Sequence, residues 1–314
     1  MDLRQLSALV AVADHRSFSA AARSLHTVQS NISTHIARLE RELGVTLVDR
    51  ASGTLTAEGE AVVSRARRIQ LELEALIADV AAVNSEITGT ARIGVIGTTA
   101  TWLVSPLLEA MAIEYPGVQV VVVDATTTSL LPQVNSGQLD LAVLALPIHD
   151  RDVEANPLFE EELMVIAPVD HPLATGDRVT LEQLAEHDLL LEPPGTAFRD
   201  NLDTQARDAG LTLTTKAEVD GMRLVASLAF EGFGAAVLPA SAAPRFYGSP
   251  GPTGSSGERP WKIVNVDGLT RRSVGLVRRR RGLPSAPARA LTEVLRRTVA
   301  IEAEHQPGIY GAEQ

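Results

Sequence analysis

Ser30, Thr34, Arg38 and Arg41 recur at intervals of four, four and three residues. At about 100° per residue this brings them to, or close to, one face of a helix. On the opposite face Ile32, Ile36, Leu39 and Leu43 are spaced four, three and four residues apart and make an apolar stripe. Hydroxyls at the front of a helix can read base edges, and guanidiniums further along can reach phosphates, which is the chemistry of major-groove docking. An ordinary amphipathic surface helix has the same two faces, and periodicity alone supports both readings equally. A second group of polar residues, Gly97-Thr98-Thr99-Ala100-Thr101 and Asp124-Ala125-Thr126-Thr127-Thr128, follows two predicted strands and precedes two predicted helices. Hydroxyls and free backbone N–H groups there suit a carboxylate or another polar ligand; threonines in such places also simply cap helices.

Covalent catalysis finds little support. The chain has no cysteine and seven scattered histidines. That excludes disulfides, thiol redox sensing and Cys-ligated zinc. There is no G-x-S-x-G elbow, no phosphate-binding glycine loop and no paired carboxylates tied to a base, so an enzyme is not expected. Gly232-x-Gly234 lacks the third glycine of a dinucleotide fingerprint and precedes a strand, so backbone geometry explains it better.

These residues need elements to hold them. The recognition face lies on a predicted helix over residues 29–43 ending at Gly44, with Thr27 as its expected cap. Before it come a helix carrying Leu3, Leu6, Leu9, Val10 and Ala13, and a short one over 20–25 capped by Ser19. After it comes a short wing, residues 50–56. From 57 to 87 there is no proline. Val62, Ala66, Ile69, Leu73, Leu76, Val80, Val83 and Ile87 alternate at spacings of four and three, the 3.5-residue repeat of a coiled coil. The repeat predicts a self-paired seam; packing onto the C-terminal domain is the alternative. Beyond residue 88, strands and helices alternate, which predicts a mostly parallel sheet whose ligands bind at the strands' carboxyl ends.

Residues 18–59 resemble the winged helix-turn-helix of LysR-type transcriptional regulators. Phe18-Ser19-Ala20-Ala21-Ala22-Arg23-Ser24-Leu25, Gln29, Ser33, Ile36, Leu39-Glu40, Leu43-Gly44, Leu47, Arg50, Leu55-Thr56 and Gly59 all fall at that family's offsets. The resemblance implies DNA contacts from Gln29 and Ser33, from their neighbours Ser30 and Thr34, and from Arg38, Arg41 and Arg50. The sequence departs from the family pattern in two places. Val28-Gln29-Ser30 stands where Ser-Gln-Pro is frequent, and the wing is shorter and poorer in arginine, which shifts the reading of DNA towards the helix.

The rest of the chain resembles the family's effector domain, itself similar to a two-lobed periplasmic binding protein. That likeness points to Thr98, Thr99, Thr127, Pro147, His149 and Thr196 as effector contacts. The implied fold class is α plus α/β. A winged helix-turn-helix (1–59) and a coiled-coil linker helix (60–87) precede a type 2 periplasmic-binding-protein-like α/β domain (88–303). Its first lobe takes about 88–162 and 265–303, its second about 163–264, and the tail 304–314 is expected to fray. The expected function is sequence-specific DNA binding in transcription regulation, controlled by a small-molecule effector between the lobes, with no metal or bound cofactor. Expected partners are a pseudo-palindromic duplex, a second copy through the linker, a homotetramer and RNA polymerase.

Hydrophobic residues make up 45% of 314, ample for such cores. No membrane span or signal peptide is recognisable, so a cytoplasmic location is expected. Taken over the whole chain, the net charge of −11 opposes DNA binding. Yet residues 1–59 hold six Arg and six acidic residues, so the entire excess lies in the body. The run Arg278-Arg279-Arg280-Arg281 lies at a predicted strand end outside the head and is expected to be solvated or to face a subunit.

Overall fold

The computed structural model describes residues 1–50, 52–83, 86–242 and 260–312; the low-complexity stretch 248–257, expected to be a flexible loop, lies outside them. The chain divides into two compact units, one built essentially from the first 84 residues and the other from the remainder.

In the first unit α1 (Leu3–His15), α2 (Phe18–Ser24) and α3 (Gln29–Leu43) precede a small wing and the long α4 (Ala57–Val83). Asp2 and Gln5 form a reciprocal capping box at the start of α1. The second helix starts earlier than expected. Ser17, not Ser19, caps it by accepting from Ala20 N, which lets Phe18 enter the helix and pack on the core. Thr27 does not cap α3 either. Its hydroxyl accepts from Asn31 Nδ2 at 2.9 Å, and Val28 sits at the cap with no side chain to offer. Ile32, Ile36 and Leu39 are buried against Leu6, Leu9, Val12 and Ala21. Burial of each of these large side chains contributes roughly 1.5–3 kcal/mol. Leu43, last of the stripe, is 41% exposed because the helix ends there at Gly44, φ 72°. Gly59 is buried in the first turn of α4, where a Cβ would lie 2.1 Å from the Leu47 carbonyl oxygen. Only glycine permits that approach of helix to wing.

The α4 repeat behaves differently along its length. Val63 and Ala66 are buried in the head's core and Val62 packs against it, with Gln70 Nε2 donating to Ser7 Oγ. Leu76, Val80 and Val83 are 59%, 60% and 85% exposed on this chain. Ile87 is not helical. The chain leaves the helix to enter the next strand at Gly89, whose φ of 120° suits glycine alone.

The second unit carries two six-stranded sheets. In the first lobe β1 (Gly89–Val95), α5 (Gly97–Glu114), β2 (Val118–Asp124), α6 (Thr127–Ser136), β3 (Leu141–Ala145) and β4 (Val153–Glu161) follow one another. The second lobe holds β5 (Leu163–Pro168), β6 (Arg178–Thr180), α7 (Leu181–Ala185), β7 (Asp188–Leu191), α8 (Ala197–Asp208), β8 (Thr214–Glu218), α9 (Met222–Phe230), β9 (Ala235–Pro239) and β10 (Trp261–Asp267). The chain then returns to the first lobe with β11 (Arg272–Arg279), α10 (Ala286–Ala303) and β12 (Ile309–Gly311). Strand orders are β12-β4-β11-β3-β1-β2 and β6-β10-β5-β9-β7-β8.

Both sheets are mixed rather than mostly parallel. Strands that enter a lobe directly from the other run antiparallel to their neighbours: β11 on β3 and β4, and β5, which follows β4, on β9 and β10. All of β10 belongs to the second sheet, since Trp261–Asn265 pair with Met164–Pro168 and Asn265–Asp267 with Arg178–Thr180. The lobe boundary therefore falls after Asp267, not after residue 264. The expected frayed tail is also corrected. Ile309–Gly311 pair antiparallel with Phe159–Glu161, the Tyr310 hydroxyl donates to Glu162, and Arg271 stacks on the Tyr310 ring.

Candidate functional sites

In the head, α3 leaves Gln29, Ser30, Thr34, Arg38 and Arg41 exposed and Ser33 half-buried on its outer side. Ser19 Oγ donates to Gln29 Oε1 at 2.8 Å, which orients the amide at the start of the helix. The first turn of α3 lacks a side-chain cap, so its N–H groups remain available to a phosphate oxygen. The wing closes by a Val48–Leu55 bridge and the Thr56 N to Leu47 O bond. Arg50 is engaged by Glu40 Oε2 at 3.1 Å. Glu40 does more than hold this arginine. Its Oε1 accepts from Leu47 N at 2.9 Å and Val48 N at 3.3 Å, fastening the wing to the recognition helix. In the sequence Glu40 stands in the motif without a role of its own, and a single acid one turn before the helix end is a weak signal for such a brace.

In the second unit a cavity of about 350 Å³ lies between the lobes. The first lobe supplies Thr98, Asp124, Thr126, Thr127 and Thr128, and the second Glu192, Thr196, Met222 and Arg223. The threonines are not in loops before their helices: α5 begins at Gly97 and α6 at Thr127. Thr98 therefore borders the cavity in the first helical turn, while Thr99, rotated about 100° onward, is fully buried with no partner for its hydroxyl. Thr99 is removed from the contact set on that ground. Thr127 Oγ1 accepts from Ala145 N at 3.3 Å, and Thr196 caps α8 through Arg199 N. Within the predicted clusters the capping explanation holds for Thr126, whose hydroxyl accepts from Ser129 N at 3.4 Å; Thr126 and Thr196 both border the cavity as well. Pro147, following a cis peptide bond, lines a neighbouring cavity instead, and His149 lines neither.

Two helices of opposite lobes, α5 and α9, begin at this cavity without a side-chain cap. Arg223 bridges the lobes to Asp124 at 2.6 Å. A Cβ on Gly97 would stand 3.1 Å from Arg223 Nε and 3.2 Å from Asp124 Oδ1, so glycine makes room for the bridge. Glu192 is buried, and burial pushes its carboxyl above the usual glutamate range despite a hydrogen bond with Thr196. Arg223 and Asp124 are far apart along the chain, so no local spacing in the sequence announces their pairing.

A winged helix-turn-helix followed by a two-lobed domain with a central cavity defines a DNA-binding regulator that senses a ligand. The LysR substrate binding domain matches residues 84–300, and the bacterial regulatory helix-turn-helix of the lysR family matches residues 3–60. The chain belongs to the LysR family of transcriptional regulators. Among its relatives is a probable hydrogen peroxide-inducible genes activator of Streptomyces viridosporus, 34% identical over 76% of this chain and 78% of that protein. A full-length OxyR variant from Pseudomonas aeruginosa superposes with a TM-score of 0.75 at 25% identity, covering 100% of this chain and 98% of the other. The fold is also that of CbnR in complex with its target DNA, with a TM-score of 0.68 at 23% identity over 95% of this chain and all of that one. The protein is thus a DNA-binding regulator of transcription with a ligand-sensing domain. Among the described residues no helix is long and apolar enough to cross a membrane.

Proposed function

We propose that this regulator reads a pseudo-palindromic duplex as a dimer joined along α4, and that a small anion bound between the lobes sets its activity. The observation that carries the anion is the pair of uncapped helix starts, α5 and α9, facing one cavity from opposite lobes. Their free N–H groups and dipoles favour negative charge. Thr98 and Thr127 add hydroxyls, and Arg223 can exchange Asp124 for the ligand. A carboxylate is the effector class this favours. Because a ligand touching both lobes binds their two arrangements unequally, it shifts the population between them. The chain has no cysteine, so thiol oxidation plays no part, unlike a response routed through a reactive thiolate. On the DNA side Gln29, Ser30, Ser33 and Thr34 read bases, while Arg38 and Arg41 meet phosphates. The braced Arg50 borders the wing.

A gel-shift titration on the DNA upstream of the protein's own gene, at about 0.1 M salt, tests this. A specific shift is expected. Gln29→Ala or Ser33→Ala is expected to weaken it by roughly 1–3 kcal/mol without unfolding the head. The absence of any sequence-specific complex, with or without small carboxylates, would sink the proposal.

A further inference from the structure

The recognition helix begins on a residue that helix starts disfavour. Position 28 is the N-cap of α3, where the side chain of a serine, threonine, asparagine or aspartate accepts from the N–H groups of the first turn. Val28 has no oxygen to offer, and Thr27, one residue earlier, is engaged by Asn31 instead. Valine ranks among the poorest residues for a cap.

Packing does not explain the choice. Four residues before Ile32, a helical Val28 would extend the buried stripe. Its backbone is extended instead, with φ −97° and ψ 151°, which carries the side chain off that face. Val28 is 60% exposed and is no part of the core that Ile32, Ile36 and Leu39 share. A lone exposed valine elsewhere on a surface needs no account. This one forgoes a cap, exposes an isopropyl group and opens the run Val28-Gln29-Ser30-Asn31, which is exposed throughout at the front of α3. Local rules broken together at one residue point to function rather than stability.

The neighbours indicate what the isopropyl group meets. Gln29, whose Oε1 accepts from Ser19 Oγ, carries an amide suited to a base edge, and the residues after it are polar. In the major groove the apolar feature among the base edges is the C5-methyl of thymine. An isopropyl group at the front of a helix docked there has that methyl as its complement. We propose that Val28 is a specificity-determining residue, its side chain packing on the C5-methyl of one thymine in each half-site. The inference rests on α3 being the helix that enters the groove. It also accounts for the missing cap, because a capping hydroxyl would set a polar oxygen against that methyl.

Deoxyuridine keeps the hydrogen-bonding groups of thymidine and lacks the methyl, so it isolates this contact. On the DNA upstream of the protein's own gene, each thymine is replaced in turn, in both half-sites together, and the affinity of the full-length protein is measured by gel shift. One such replacement should weaken wild type by about three- to tenfold. Val28→Ser and Val28→Ala should be insensitive to the same replacement, and both should bind the thymine form more weakly by a similar factor. The alanine variant shows that the loss does not come from the new hydroxyl occupying the first-turn N–H groups. Val28→Ser should melt no lower than wild type, since it regains a cap and loses no core packing. Equal sensitivity of all three proteins would place the methyl's effect in the DNA and overturn the proposal. So would a specifically bound operator in which no replacement affects wild type, a lower melting temperature in both variants, or a changed mass by light scattering, which would make Val28 a contact between copies. The absence of any specific complex would be a different failure, that of α3 as the DNA-reading helix, and the inference would fall with it.

Discussion

Glu40 shows how one carboxylate can matter to DNA recognition without touching DNA. One oxygen satisfies two wing N–H groups and the other holds Arg50. In Glu40→Ala those donors lose their acceptor, which costs about 1–3 kcal/mol where water cannot replace it. Urea unfolding should show that loss, and operator affinity should fall with it. Unchanged stability would mean that the brace is idle. Glu192 offers a test by pH. Burial raises its carboxyl above the ordinary 4.5. A group raised on folding stabilises the fold fully below its unfolded value, and that contribution is lost as pH rises through the folded value. Glu192→Gln removes this dependence. The variant should therefore gain melting temperature relative to wild type as pH climbs from about 4.5 towards 7. A difference that stays flat would show the carboxyl to be ordinary.

At the scale of elements, α4 does two jobs in sequence. Its first turns complete the head's core through Val63 and Ala66, and its later seam positions Leu76, Val80 and Val83 stand bare on the single chain. Apolar residues left at coiled-coil spacing favour a second helix. Leu76→Asp should therefore halve the mass measured by light scattering without unfolding the head, and an unchanged mass would count against the seam. The seam was readable because a strict repeat leaves a signal across many residues. Other features left none. Gly97-Thr98-Thr99 has weak helix propensity and reads as a loop, yet packing of Leu103 and Leu107 extends α5 back to Gly97. Ile309–Gly311 is too short to show a pattern and becomes a strand only because β4 offers an edge. The Arg272–Glu161 contact joins residues more than a hundred positions apart, so no local spacing could announce it. The buried and exposed faces of α3, by contrast, depend on one helix and were legible almost residue by residue.

For the whole molecule, composition limits how signals can be received. Relatives named for hydrogen peroxide induction share the fold and a third of the sequence. This chain keeps the two-lobed cavity but has no cysteine anywhere. Oxidation by peroxide needs a soft nucleophile, and methionine is the one sulfur type left. There are four: Met111 and Met164 are buried, Met1 is exposed at the terminus, and Met222 borders the cavity. Thioether oxidation lacks the thiolate that makes sensor cysteines fast, so brief exposure should leave the protein unmodified. Treating the full-length protein for a minute with about 100 µM peroxide should leave operator binding and intact mass unchanged, while a bound acid should alter the gel-shift pattern. A peroxide-dependent change in DNA binding would overturn non-covalent control, and a 16 Da gain (one oxygen atom) on the peptide holding Met222 would identify the sulfur responsible.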